Sequence, residues 1–174
     1  MLSKTLNLES ILPYLLHQEN NNENCIILSR KNLLICLNIL KKHIGLQYKI
    51  LTCISGVDLL IKDYRFLVAY ELLSLVFNSR LRVKIFLDEY MPVPSTISIF
   101  KNADWWEREI WDLFGIFFEN HSDLRRILND YNFEGHPMRK DFPLTGFIEI
   151  YYNHNTKSIS YEKVQLTQKS KAFL

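Results

Sequence analysis

Between residues 81 and 88 apolar and charged side chains alternate, with Leu81, Val83, Ile85 and Leu87 set against Arg82, Lys84 and Asp88. A period of two fits a strand buried on one face, and no helix can accommodate it. Tyr64, Phe66, Val68 and Tyr70 repeat the pattern, and so do Tyr48, Ile50, Thr52 and Ile54. Asn78-Ser79, between the runs at 64–70 and 81–87, has the chemistry of a hairpin turn. Strands joined by short turns form an antiparallel sheet, and a sheet with one apolar face needs a covering layer. Leu33, Leu37, Leu40 and Ile44 fall on one helical face and supply part of that layer. Ser29 can cap this helix, Lys41, Lys42 and His43 suit its C-terminal end, and Gly45 can end it. The expected class is α+β in two layers, an antiparallel sheet covered by helices.

Other segments fill in around this frame. Residues 25–28 form a short apolar run that reads as a strand, and the asparagine-rich residues 20–24 read as a loop. Residues 1–16 carry Leu6, Leu8, Ile11, Leu12, Leu15 and Leu16 beside Lys4 and Glu9. The absence of arginine and of a small-residue cleavage signal makes this a first helix of the mature domain rather than a targeting leader. For a protein working in an organelle, that implies synthesis there. Met91-Pro-Val-Pro94 breaks the sheet, and Ser95 and Thr96 can cap a short helical segment. A clearer helix runs over 105–114. Beyond it the chain is irregular, with Gly115, Gly135, Pro137, Pro143 and Gly146. Ile148, Ile150 and Tyr152 alternate ahead of a polar end, which reads as a tail lying extended on this domain or on a partner. The expected division is an α+β domain over 1–118, followed by an irregular interface segment and extended tail over 119–174.

Composition removes several function classes. The formal net charge of the 174 residues is +2 with mixed signs, so no basic field invites nucleic acid. There are three cysteines, Cys25, Cys36 and Cys53, and no two are spaced C-x-x-C. Neither a disulfide framework nor a four-cysteine zinc or iron–sulfur site follows from them. No apolar run approaches the roughly 18 residues of a membrane span. Phosphate-binding glycine loops, a G-x-S-x-G elbow and H-E-x-x-H are all missing.

The chemistry-bearing residues gather in 103–146, ADWWEREIWDLFGIFFENHSDLRRILNDYNFEGHPMRKDFPLTG. On a helical wheel Trp106, Ile110, Leu113 and Phe114 form an apolar arc. Arg108, Glu109 and Asp112 lie opposite, with Arg108 and Asp112 able to pair at i,i+4. Gly115 stands where a left-handed terminator is wanted. Glu107 falls inside the apolar arc, and two roles are open to it. It can close a capping box on Asp104, or it can be buried against a cation such as Arg125, Arg126 or Arg139. Glu107 and Glu109 are two residues apart and face different ways, so they do not form an acid–base pair. His121 and His136 match no metal-ligand spacing, and each precedes a turn-forming residue, Ser122 and Pro137. They read as surface or turn histidines. Arg125-Arg126 and Arg139-Lys140 stand among Asp123, Asp130, Glu134 and Asp141 with Tyr131 and Phe133. Mixed charge with aromatics and prolines fits a protein–protein contact better than a nucleic-acid face. A stand-alone enzyme and a small-ligand module are the rival classes, and no metal, nucleotide or nucleophile constellation accompanies the charges.

The run from Trp106 to Ile116 resembles the signature of the 30 kDa subunit family of respiratory complex I. That signature has E-R-E, an acidic residue, two large apolar residues and Gly-Ile: here Glu107, Arg108, Glu109, Asp112, Leu113, Phe114, Gly115 and Ile116. The continuation through Gly146 is similar to the mitochondrial and alphaproteobacterial branch, on Arg125, Arg126, Gly135, His136, Pro137, Arg139, Lys140, Asp141, Phe142 and Pro143. The plastid relative shares the E-R-E core but lacks the E-G-H-P…R-K-D-F-P-L-T-G run. The resemblance implies a subunit of the hydrophilic arm of NADH:ubiquinone oxidoreductase, on the matrix side of the mitochondrial inner membrane and organelle-encoded. It implies packing against the large quinone-site subunit. It implies no flavin, iron–sulfur cluster or catalytic residue in this chain, FMN and the clusters belonging to other subunits. The expected role is assembly and rigidity in support of electron transfer to ubiquinone and coupled proton pumping.

Overall fold

The structure is a computed structural model and describes residues 16–20, 23–60 and 63–166. The expected first helix lies outside the described residues apart from Leu16, which opens a strand. Strands β1 (Leu16–Asn20), β2 (Glu23–Leu28), β3 (Ile50–Asp58), β4 (Phe66–Ser74) and β5 (Ser79–Leu87) form one sheet in the order β1-β2-β5-β4-β3. The β1–β2, β3–β4 and β4–β5 pairs are antiparallel, whereas β2 runs parallel to β5. The α+β class holds with a sheet that is mixed at this one seam. Asn20 and Asn24, expected in a loop, instead pair with Glu23 and Glu19 in the β1–β2 hairpin.

Helix α1 (Leu33–Lys42) follows a 3-10 turn at Arg30–Asn32, and Ser29 caps that turn without a side-chain bond. Leu33, Leu37 and Leu40 are buried as their spacing predicts, but Ile44 is exposed beyond the helix end. The chain leaves the helix at extended His43, ahead of Gly45, and carries Leu46 and Tyr48 into the core. Helix α2 (Ala103–Phe114) packs across β3. Gly56 allows this approach, because a Cβ there would lie 2.9 Å from the Phe114 ring. Both helices share one core cluster with the inward side chains of β2 to β5, which makes the two layers.

Within β4 and β5 the alternation holds, with Phe66, Val68, Tyr70, Leu72, Leu81, Val83, Ile85 and Leu87 all buried. Tyr64 precedes β4 and is exposed. In β3 it breaks. A bulge between Leu51 and Cys53 shifts the register, so Leu51 and Ile54 are buried while Ile50 and Thr52 are not.

Two short strands, β6 (Val93–Pro94) and β7 (Phe118–Glu119), pair in parallel at the two ends of α2's neighbourhood. Val93 and Ser95 donate their N–H groups to Phe117 and Glu119, so Pro94, which has none, falls where no donor is needed. Ser95 and Thr96 start a turn and not a helix. Past β7 the chain is irregular to Gly146. A hairpin then forms from β8 (Ile148–Asn153) and β9 (Ser158–Lys163), so the tail is a two-stranded ribbon through residue 163 rather than a single extended segment. No helix among the described residues is long and apolar enough to cross a membrane.

Candidate functional site

The site is the outer side of α2 and the segment 119–146 wrapped over it. The helix wheel sends Arg108 and Asp112 to solvent, yet both are buried. They do not pair with each other. Arg108 bridges back to Asp104 and lies over the Trp105 ring at 5.0 Å. Glu109 stays half-buried at the helix surface.

Asp112 is 0% exposed and acts as a hub for the segment. Its Oδ2 accepts the backbone N–H groups of Ile127, Leu128 and Asn129 at 3.2, 2.9 and 2.9 Å. Its Oδ1 accepts Arg126 at 2.8 Å and the Asn129 amide at 2.9 Å. Burial alone would raise this carboxyl. The N–H groups of Asn129 and Leu128, the Asn129 side chain and Arg126 outweigh burial and bring it down to about 2. Arg126 also donates to the Gly135 carbonyl and lies near the Trp111 and Phe133 rings.

The C-terminal end of α2 leaves carbonyls that need donors. Gly115 closes the first bond, its N–H donating to Trp111 O at 2.9 Å from a left-handed backbone, φ 77°. The next three carbonyls are met by the run His136-Pro-Met-Arg139. His136 Nδ1 donates to Asp112 O at 2.9 Å, Met138 N to Leu113 O at 3.1 Å, and Arg139 Nε to Phe114 O at 2.6 Å. Burial lowers the His136 pKa, and nearby Arg139 and Arg126 add to that, while the bond to the Asp112 carbonyl opposes it. Gly115 is doubly required, since a Cβ would lie 2.6 Å from both the His136 and Arg139 side chains.

Arg139 continues to Glu89 at 2.7 Å. Arg65 meets Glu89 at 3.2 Å, Asp141 at 2.9 Å and Asp58 at 3.3 Å, and the Lys140 N–H donates to Asp58 at 2.9 Å. Asp58 ends β3 and is buried, which would raise its pKa, but Arg65 and the Lys140 and Leu60 N–H groups take it below the ordinary value. Asp58, Arg65 and Glu89 escape a reading of the sequence because they stand far from 103–146 and match no motif. The one available sign is an acid closing the apolar run of β3. Gly135 lets the Phe142 ring approach, and Phe142 in turn meets Phe133 and Phe147 at 5.7 and 5.3 Å between ring centres. Gly146 N–H bonds back to Pro143 O. Arg125 is exposed and among the described residues pairs with Asp123 at 3.2 Å.

Glu107, also 0% exposed, is buried as its second expected role requires, but Asn102 and not Asp104 is the N-cap. Among the described residues no arginine pairs with it, and the nearby basic side chain is His121, whose Nε2 lies 3.9 Å from Oε2. Its Oε1 accepts the Thr96 N–H and Oγ1, both at 2.7 Å, and its Oε2 accepts Ser95 Oγ at 2.6 Å. The hydroxyl pair that reads as a helix cap therefore serves a carboxylate eleven residues on. Burial raises the Glu107 pKa, and these bonds oppose the rise without cancelling it. His121 is no surface histidine: its side chain is 1% exposed. Asp123 N–H donates to its Nδ1, which places the proton on Nε2, directed at the Asp104 carbonyl.

While Arg126, His136 and Arg139 turn inward, the site also shows apolar side chains outside. Trp105, Phe117, Leu128, Tyr131, Met138 and Leu144 are exposed. In the hairpin, Ile148, Ile150, Tyr152, Ile159 and Tyr161 share one face by register, and all are exposed. Among the described residues no three His, Cys, Asp or Glu side chains converge as metal ligands. Cys25 and Cys36 are buried thiols, and burial pushes Cys36 up to about 12.

Comparison with known proteins gives a consistent family. Residues 26–148 match the family model described as respiratory-chain NADH dehydrogenase, 30 Kd subunit. NADH-ubiquinone oxidoreductase subunit 9 of Reclinomonas americana is 52% identical over 142 residues, covering 82% of this chain and 70% of that protein. A bacterial NADH-quinone oxidoreductase subunit, from Paramagnetospirillum magneticum, is 50% identical over 137 residues, covering 79% and 69%. A chain of an archaeal respiratory membrane complex, the membrane-bound sulfane sulfur reductase, superposes with a TM-score of 0.68 over 79% of this chain and 82% of its own, at 22% identity, which speaks to the fold alone. The α2 network and the irregular wrap thus lie within the matched span, and the chain belongs to the 30 kDa subunit family of respiratory-chain NADH dehydrogenase.

Proposed function

We propose that this chain is a non-catalytic subunit of the peripheral arm of NADH:ubiquinone oxidoreductase, on the matrix side of the mitochondrial inner membrane. It carries no redox group of its own, FMN and iron–sulfur clusters being held by other subunits. Its task is assembly and rigidity beside the large subunit that forms the quinone site, in support of electron transfer coupled to proton translocation. One observation carries this reading: Leu128, Tyr131, Met138 and Leu144 of segment 119–146, and one face of the β8–β9 hairpin, turn apolar side chains outward. A two-stranded hairpin is marginal in water on its own, and a contiguous exposed apolar face marks a contact surface. Ion pairs and carbonyl bonds beneath hold that surface in shape, which preorganises it for docking. The organelle and bacterial relatives, named as subunits of the same kind of oxidoreductase, point to the assembly.

The test is native electrophoresis of detergent-solubilised membranes with in-gel staining for NADH oxidation and immunodetection of this chain. Co-migration with the high-mass active band is expected. A chain truncated after Ile148 is expected to fold but to be missing from that band. Normal incorporation of the truncated chain removes the hairpin from the contact, and migration of the full chain as a small free species sinks the subunit reading.

A further inference from the structure

A cleft of about 860 Å³ opens between the end of α1 and the approach to α2, with Ser122 of the wrapped segment at its edge. Lys41, Lys49 and Lys101 line it, from the last turn of α1, the residue before β3 and the turn before α2. Ile97 and Ile99 add apolar wall, and Asp104 is the one acidic residue of the lining. Asp104 is already taken by Arg108. Lys41 donates to the Ile99 carbonyl and lies 4.8 Å from the centre of the Phe100 ring, which fixes its position and leaves its charge. Lys49 and Lys101 are exposed and have no carboxylate partner among the described residues.

Arg65, Arg108, Arg126 and Arg139 each meet a carboxylate within the chain. Here three lysines from separate parts of the chain line one cleft, and the single carboxylate of its lining is already paired with Arg108, so like charges gather there without an unpaired anion in the lining. Lysine heads on flexible stems adapt to carboxylates at varied positions, and an open cleft suits an extended segment more than an enclosed small ligand. We propose that this cleft receives an acidic segment of a neighbouring subunit, whose carboxylates reach Lys49 and Lys101 while its apolar side chains rest on Ile97 and Ile99. The inference relies on the subunit reading above and adds the chemistry of one contact.

The experiment is carbodiimide cross-linking of the intact complex, which joins amines to carboxylates in contact. Lys49 and Lys101 are both expected to link to aspartate or glutamate within one short stretch of one other subunit, with yield falling as salt rises. Lys49→Gln with Lys101→Gln should lose the links and release the subunit at lower salt. Lys49→Arg with Lys101→Arg should lose the links, because guanidinium does not react, yet hold the subunit as the wild type does. Links scattered over several subunits, no links at all, or equal salt resistance of the Gln variant overturns the proposal. So does protection of both lysines by tripolyphosphate without any protein link, which would assign the cleft to a phosphate ligand. Presence of the chain in the active high-mass band without these links sinks only the cleft, whereas its absence from that band sinks the subunit reading.

Discussion

In β4 and β5 the groups turned inward are Phe66, Val68, Tyr70, Leu81, Val83 and Ile85; on the outer side of α2 they are Asp112, Arg126, His136 and Arg139. The first set needs only the right size and period. Removing part of one side chain there leaves a cavity whose cost depends on local relaxation. The second set needs each donor and acceptor in place, because a buried carboxylate or carbonyl that loses its partner bears a full desolvation penalty. The sheet is held by burial of apolar area, and the wrap is held by saturation of one helix's polar groups. That division leaves Leu128, Tyr131, Met138 and Leu144 of the wrap free to face a partner.

The sharpest way to break the comparison is Asp112→Asn. An amide nitrogen cannot accept, and either oxygen position it replaces faces at least two donors. The expected loss is about 3–5 kcal/mol in urea unfolding, with amide exchange quickening first at residues 127–129. A loss under about 1 kcal/mol would show that burial holds the wrap as it does the sheet. The pH dependence has a definite sign. Asp112 is depressed to about 2 in the fold, against roughly 3.9 when unfolded. Its contribution is therefore complete above the unfolded value and is lost as pH falls toward the folded one.

Glu107→Gln comes next and separates two buried carboxylates on the same helix. Gln can keep its oxygen on the Thr96 N–H and donate its amide to Ser95 Oγ, so the expected loss is about 1 kcal/mol, well short of the breaking of a buried ion pair. The sign with pH is opposite to that of Asp112. A raised folded pKa means the ionised form weakens the fold at neutral pH, and wild-type stability is regained as pH falls through that raised value toward the unfolded one. The penalty of the substitution should accordingly grow as pH falls through this window. A penalty that is flat or shrinks there would mean Glu107 carries no raised pKa.

The same division governs what the sequence discloses. Period two found β4 and β5 because one-sided burial imposes it. The four apolar residues 25–28 have no periodicity to report direction, so the parallel seam with β5 stayed hidden. The bulge at Leu51 was invisible for a similar reason: a one-residue register change leaves the composition of the run intact. In the site, the glycine terminator at Gly115 was legible because a left-handed helix end demands glycine. The roles of Arg108 and Asp112 were not. A helical wheel assigns polar residues to water, and it cannot know that an irregular segment will bring N–H groups and guanidinium to cover them. Ser95 and Thr96 advertised hydroxyl and N–H donors, and only the fold names Glu107 as their acceptor.

The smallest expected effect on the isolated chain tests what the hairpin is for. Ile150 and Tyr161 are direct cross-strand partners on the exposed apolar face of the hairpin. Replacing both with serine removes surface that already faces water, so urea stability of the body should move by no more than about 0.5 kcal/mol. Incorporation into the high-mass NADH-oxidising band should nevertheless fall sharply, because two aromatic or aliphatic anchors of the contact are gone. The two readouts separate the regions cleanly. A large stability loss with normal assembly would make these side chains part of what holds the body together, and the outward apolar face would then be no docking surface. Unchanged stability with lost assembly would show that the hairpin presents an apolar face that the chain itself does not use.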